Sequence, residues 1–416
     1  MKNLVGACMF GQSGGPTSVI NSSAAGVFIE ALAQKNITKV YGAANGIQGI
    51  LTENFYDMGQ EDEKELYLLK NTPSSALGSV RYKLKSADVD ETDYKRILEV
   101  FKKYNVRYFF YNGGNDSMDT CNKISKYLLK SGYECNIIGV PKTIDNDLYG
   151  TDHCPGYGSA AKYVATTMME MYLDATVYDK GQITIVEIMG RNAGWLTAAS
   201  ALASYKGLGP DLIYLPEQPF DVEKFLKQVK EVADNNKGKC IVALSEGIKT
   251  ADGQYVVEAI ASASASKDSF GHTQLGGVAA TLANLVKEKI GGKVRAVEFS
   301  LMQRCGAHLA SKTDVEEAFE AGRTAVRSAC EGNTDKMVVF ERQPGKEYKI
   351  EYKLMNIELA ANTEKKIPDS WILPDNKGLS QEFIDYALPL IQGDSKAPLE
   401  DGLPRFARLK KVKVQA

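Results

Sequence analysis

The chain has 416 residues, of which 44% are hydrophobic and 25% charged, and its formal net charge is −2 at neutral pH. That length can bury one large core or more, and the near balance of charge excludes the broad basic footprint of a nucleic-acid-binding protein. Seven cysteines without a C-x-x-C pair and three histidines without ligand spacing argue against a zinc site, a redox pair or a hydrolytic triad. The thiols are expected to be buried and reduced. The opening MKNLVGACMFGQSGGP has too short an apolar run for a signal peptide, and no stretch is apolar for long enough to span a bilayer. A cytoplasmic protein with neither a membrane nor a nucleic-acid partner is expected.

In chain order, short β-rich runs recur: LVGACMF, KVYGAA, VRYFFY, NIIGV, QITIVEI, DLIYL, CIVAL, VRAVEF and KMVVF. Stretches of helical period such as SVINSSAAGVFIEALAQ and DYKRILEVFKKY lie between most of them. The alternation predicts an α/β fold of two Rossmann-like, three-layer domains with mainly parallel sheets and a site in the cleft between them. One domain is expected over residues 1–155 plus about 303–355, and the other over about 156–302 with an inserted segment at 247–293. Residues from about 356 to 416 then form a C-terminal extension. The inserted segment, containing SASASKDSFGHTQLGG, reads as a loop-plus-helix excursion over a site. The basic end RFARLKKVKV reads as a solvated terminal segment.

The residues just after each run carry the chemistry. FGQSGGPTS, NGIQGI, NGGNDSMD and PKTIDNDLYG come at the ends of the first four runs, and MGRNAGW, SEG and SLMQRCG come later. Polar and glycine-rich residues thus gather at one end of the sheets, where open α/β folds bind ligands. Gly14 and Gly15 sit between a strand and a helix, where backbone N–H groups can cradle a phosphate or simply make the turn. The loop is neither a Walker A nor a G-x-G-x-x-G motif. Gly113 and Gly114 let a phosphate chain approach the backbone, and Asn115, Asp116 and Ser117 supply oxygens suited to Mg²⁺, although Asp116 or Ser117 can equally cap a helix. Pro141-Lys142-Thr143-Ile144-Asp145-Asn146-Asp147 combines a fixed turn, a cation and two carboxylates. Asp145 can take a proton from an acceptor hydroxyl and Lys142 can neutralise donor charge, while Asx-turns are the structural alternative.

The loops GQSGGPTS, GGNDS, PKTIDND, MGR, SEG and MQR, in this order and at these separations, resemble the phosphofructokinase family over residues from about 4 to 312. Members that use ATP typically read Gly-Gly-Asp-Gly-Ser in the second loop and have a glycine before Thr-Ile-Asp-Asn-Asp. Asp116 and Lys142 resemble the pyrophosphate-using branch. A carboxylate at Asp116 would obstruct and repel the α-phosphate of a nucleotide, and Lys142 would bind the terminal phosphate of the smaller donor.

The resemblance implies reversible transfer from pyrophosphate to the 1-hydroxyl of fructose 6-phosphate, with Mg²⁺, in glycolysis and gluconeogenesis. It implies Asp145 as the base, Thr143 on the transferring phosphoryl group and Asp147 supporting the metal or its waters. Gly14, Gly15, Arg81, Gly114, Asp116, Ser117 and Lys142 would receive the donor. Thr143, Ile144, Asp145, Met189, Gly190, Arg191 and Glu246 would hold the sugar, while Arg295 and Arg304, with Leu301 nearby, would clamp its 6-phosphate.

The chain departs from the family pattern at several positions. Asn115 replaces the usual metal-binding aspartate, so either its neutral oxygen or Asp116 would serve the ion. Gln182 stands where many members have an arginine that crosses a subunit boundary, and Leu301 replaces a histidine. A cation from the 247–293 segment is expected to compensate. The resemblance further implies a homodimer or homotetramer. An ATP-dependent enzyme and a non-catalytic regulatory subunit are the competing readings; the lipid and NAD kinases share a Gly-Gly-Asp loop but leave MGR, SEG and MQR without a role.

Overall fold

The computed structural model describes residues 4–260, 277–360 and 363–415. Two sheets carry it. The seven-stranded sheet is built from β1 (Gly6–Gln12), β2 (Ile37–Ala43), β3 (Phe55–Asp57), β4 (Val106–Gly113), β5 (Asn136–Pro141), β10 (Lys336–Arg342) and β11 (Ile350–Asn356), in the order β11-β10-β5-β4-β1-β2-β3. The four-stranded sheet is formed by β6 (Gln182–Ile188), β7 (Leu212–Tyr214), β8 (Cys240–Ser245) and β9 (Lys293–Glu298), in the order β7-β8-β6-β9. Every pairing is parallel except β2 with β3 and β10 with β11. Each of the nine apolar runs contains one of these strands. β1, β5, β6 and β8 are buried along their whole length, which favours mostly apolar runs, although β6 also buries Gln182, Thr184 and Glu187.

The helices Ile20–Ala33 and Lys312–Cys330 pack against each other on one face of the larger sheet, together with Phe10, Ile138, Val140 and Phe340. Glycine permits their close crossing. A Cβ on Gly26 would stand 2.0 Å from the Phe319 carbonyl oxygen, and one on Gly322 2.2 Å from that of Ser23.

Four elements differ from the sequence reading. β3 has only three residues, too few for any periodicity, and β11 is an alternating edge strand, so neither stands out as an apolar run. Of the 247–293 segment, the helix Val278–Lys289 packs on β6 and β9 as the crossover that a parallel β8–β6–β9 arrangement requires, and residues 261–276 lie outside the described residues. The basic end is docked rather than solvated: Asp57 N donates to Val412 O at 2.9 Å, Val414 N donates to Phe55 O at 3.1 Å, and Arg405 and Lys410 pair with Glu65 and Asp62. Opposite charge on residues 61–65 and the open edge of β3 make that docking favourable.

Replacement of Gly322 by alanine must push the two helices apart, which outweighs the gain in helix propensity. We expect Gly322→Ala to lose roughly 1–3 kcal/mol in urea unfolding; wild-type stability in that variant would show that the crossing has slack.

Candidate active site

Strand register brings the loops to one level. Gln12 lies opposite Asn112, Gly113 opposite Pro141, and Ile188 opposite Ser245, so within each sheet the polar loops leave at neighbouring strand ends. All of these are carboxyl ends of parallel strands.

In the first loop Gly14 has φ +77°, and a Cβ there would stand 3.3 Å from Lys142 Nζ. A Cβ on Gly15 would be 3.0 Å from Arg304 Nη1. Thr17 Oγ1 accepts from Val19 N and Ile20 N at 3.2 and 2.9 Å, which fixes the entry into the following helix. Residues 77–81 are laced to it: Gly14 N donates to Val80 O at 3.1 Å and Ser79 Oγ to Gly14 O at 2.6 Å. Buried Gln12 and Asn21 hold the same stretch, their amide oxygens accepting from Leu77 N at 3.0 Å and Ala76 N at 2.8 Å. Arg81, though exposed, thereby lies within electrostatic reach of Lys142, Asp145 and Arg304.

Lys142 is the buried cation of the site. Its Nζ donates to Gly15 O at 2.7 Å, tying the third loop to the first. Burial pushes its pKa down to about 8; Asp145 opposes that shift, whereas Arg81 and Arg304 reinforce it. In the second loop the helix Asn115–Lys130 is N-capped by the backbone of Gly114, so Asp116 and Ser117 are helical residues and not its caps. Ser117 is buried, with Oγ so near Gly113 that a Cβ there would come within 2.0 Å of it. Asp116 is half-buried in the first turn.

The third loop turns at Asn146, which has φ +56° and is anchored by Cys154 N donating to Oδ1 at 2.9 Å and by its own Nδ2 donating to Tyr386 Oη at 2.8 Å. Thr143 Oγ1 accepts from Asp145 N at 3.1 Å. Thr143 therefore makes a local turn bond, Asn146 is held by more distant partners rather than by an Asx-turn, and the carboxylates of Asp145 and Asp147 lie among Lys142, Arg191 and Asn115. Burial raises the pKa of both, that of Asp147 to about 7, with Asp145 and Glu364 adding to the rise; Lys142, Arg191 and Arg81 oppose it at Asp145. Asn115 Nδ2 lies 3.5 Å from Asp147 Oδ2, and Asn115 Oδ1 is buried without a hydrogen-bond partner. Ile144 points into the core beside Tyr157.

On the smaller sheet, Met189 N donates to Gln303 Oε1 at 3.2 Å and Gly190 N to Glu246 Oε1 at 3.3 Å, which joins MGR to both MQR and SEG. Burial, with Asp145 next, pushes the Glu246 carboxyl up to about 7. Arg191 Nε is buried without a partner. Arg304 reaches back to the first loop through Ser18 Oγ, which donates to its carbonyl at 3.5 Å.

Other expected residues stand apart. Arg295 is exposed on edge strand β9, its side chain making no hydrogen bond or ion pair with the described residues, and Leu301 is 54% exposed. Gln182 is buried and donates to Thr184 Oγ1 at 3.0 Å, so its amide is spent inside the sheet. Of the described residues proposed to replace the arginine, Lys249 lies over the Tyr255 ring, 4.7 Å from its centroid. Sequence reading also passed over Glu364, Lys365 and Tyr386. They follow no strand and carry no motif, yet they meet the third loop.

Cations, half-buried carboxylates and close-approach glycines converging between two sheets make an arrangement suited to phosphoryl transfer. The phosphofructokinase family matches residues 8–311. The chain is 46% identical over 418 residues to the pyrophosphate–fructose 6-phosphate 1-phosphotransferase of Xanthomonas campestris pv. campestris (strain B100), covering 98% of this chain and 97% of that one. Its identity to the protein of the same name from Halomonas elongata is 43% over 411 residues, covering 98% and 96%. The solved pyrophosphate-dependent phosphofructokinase of Marinobacter aquaeolei superposes with a TM-score of 0.88 at 40% identity, over 99% of this chain and 98% of that chain. The chain belongs to the phosphofructokinase family.

Beneath the third loop, His153 is buried between Asp152 (Nδ1 to Oδ1, 2.9 Å) and Glu317 (Nε2 to Oε2, 2.8 Å), with Arg342 on the far side of Asp152. Burial works against a charged imidazole, but Glu317 and Asp152 outweigh it and hold its pKa up to about 9. A proton bound more tightly in the folded than in the unfolded chain, where the pKa is about 6.5, stabilises fully below that value and is lost as pH rises through 9. The urea midpoint should therefore fall between pH 6.5 and 9, and less steeply in His153→Gln; parallel profiles would remove the charged imidazole from the fold.

Proposed function

We propose that the protein transfers the terminal phosphoryl group of inorganic pyrophosphate to O1 of fructose 6-phosphate, yielding fructose 1,6-bisphosphate and phosphate, in glycolysis and gluconeogenesis. The observation that carries this reading is Lys142, a buried ammonium held against Gly15 at the mouth of the third loop, with Asp116 on the second. ATP use would require a nucleotide to pass both side chains. The intact Lys142, Thr143, Asp145 and Asp147 set argues against a regulatory subunit without chemistry.

In this mechanism Gly14, Gly15 and Gly114 admit the donor close to the backbone, Lys142 and Arg81 offset its negative charge, and Arg304 meets the 6-phosphate of the sugar. The raised pKa of Asp145 makes its carboxylate a stronger acceptor for the proton leaving the sugar O1. Thr143 contacts the phosphoryl group in transit, while Met189, Gly190, Arg191 and Glu246 orient the sugar. The Asn115 and Asp147 oxygens suit Mg²⁺: the buried Asn115 Oδ1 has no other partner, and Mg²⁺ commonly keeps waters and takes only one or two carboxylates from the protein. Among the described residues no group of three or more acidic, cysteine or histidine side chains is placed to hold a metal ion. When bound, the ion would supply positive charge to the donor oxygens. A homodimer or homotetramer in the cytoplasm completes the proposal. The exposed edge strand β9, carrying Arg295, and the exposed Leu301 and Met302 support assembly. No helix of the described residues is long and apolar enough to cross a membrane.

Initial rates with fructose 6-phosphate, Mg²⁺ and either pyrophosphate or ATP test the donor directly. Pyrophosphate should support turnover and ATP little, and Asp116→Gly with Lys142→Gly should weaken pyrophosphate use. Unchanged pyrophosphate kinetics in that double variant would overturn this account of donor choice. Asp145→Ala should lower turnover by roughly two to four orders of magnitude with the fold retained, and near-normal turnover would displace the proposed base.

A further inference from the structure

Residues 364–367 connect the loops of the two sheets. On the side of the larger sheet, Lys365 N donates to Asp147 O at 2.7 Å, and Lys365 Nζ donates to Thr151 O at 3.3 Å and to Asp152 O at 2.5 Å. One residue thus holds both ends of the turn that comes after the catalytic carboxylates. Glu364 forms a single antiparallel bridge with Leu148. On the side of the smaller sheet, Asn192 Nδ2 donates to Glu364 Oε1 at 2.7 Å, next to Arg191, and Trp195 Nε1 donates to Lys365 O at 2.9 Å. Glu217 Oε1 accepts from both Gly194 N and Ile367 N, at 2.9 and 3.3 Å. The ammonium of Lys365 also lies 4.9 Å from the centroid of the Trp195 ring.

We propose that Lys365 is a positioning residue for phosphoryl transfer, setting the catalytic turn at Asp147 against the sugar loop at Arg191 through residues 364–367. It reaches the reacting groups only through the turn. The inference rests on the reading of Asp145 and Asp147 as residues of the reacting centre. In-line transfer requires base, acceptor oxygen and donor phosphorus in one alignment, and a displacement of about 1 Å can cost on the order of a hundredfold in rate. Deleting the Nζ bonds leaves the main-chain bonds at Asp147 O and Trp195 Nε1 available. The expected loss is therefore one of alignment, with binding of either substrate little changed.

The test compares Lys365→Met, which keeps the aliphatic stem over Trp195, with Lys365→Arg, which keeps a cation and donors. Both are assayed in full-length protein with pyrophosphate and fructose 6-phosphate, and the folded fraction is checked by thermal unfolding. Lys365→Met should lower kcat roughly tenfold to a hundredfold, with KM for each substrate within about threefold of wild type, and Lys365→Arg should recover most of the loss. The proposal is overturned if Lys365→Met keeps wild-type kcat, if its loss merely tracks loss of folded protein, or if a folded Lys365→Arg is equally impaired. Retained turnover in Asp145→Ala is a separate outcome: it would remove the base assignment without altering the comparison at Lys365.

Discussion

The hydrogen bond from Lys142 Nζ to Gly15 O is the contact on which the donor side of the cleft depends. It takes a side chain from the end of β5 across β4 to the loop after β1, and it is made by a buried ammonium whose charge is disfavoured there. Neighbouring Arg81 and Arg304 add to that cost, and Asp145 offsets part of it. A buried cation kept among other cations is poised for an anion, because a phosphate entering the cleft relieves the repulsion and the desolvation together. The same contact explains why the first loop needs glycine at position 14, where φ is positive and a Cβ would approach the ammonium.

The acceptor side is built differently. MGR, SEG and MQR are held to one another by hydrogen bonds from the main chain of Gly190 and Met189 to the side chains of Glu246 and Gln303, which leave Arg191 and Arg304 as the cations near the cleft. Arg295 lies on the open edge strand instead, and Gln182 is turned inward. Within a single chain, then, Lys142, Arg81 and Arg304 lie within electrostatic reach of one another beside the first and third loops, whereas Arg295 stands apart on an exposed edge.

Between the two sides runs a segment from beyond the family match. Residues 8–311 belong to the shared family core, whereas Glu364, Lys365 and Tyr386 lie after it and yet contact the turn below Asp145 and Asp147. The extension is thus part of the cleft's geometry, with Trp371, Phe383 and Tyr386 packed into the same apolar cluster as Trp195.

The sequence by itself determined the nine parallel-sheet runs and the positions of the polar loops at their ends, because most of these strands are buried and therefore rich in apolar residues, and a strand end that approaches a ligand is commonly polar or glycine. That Lys142, Asp145 and Asp147 lie close together was readable for a local reason, since they fall within a few consecutive residues. The short β3, the alternating β11 and the docked tail left no such mark, since their stability comes from edges and ion pairs supplied by partners distant in the chain. Tertiary structure alone decided that Asp116 and Ser117 follow a glycine cap, that Gln182 faces inward while Arg295 faces out, and that Lys365 reaches the catalytic turn. The last of these is a relation between residues far apart in sequence, and such relations arise only when the folded chain brings separate segments within a hydrogen bond of one another.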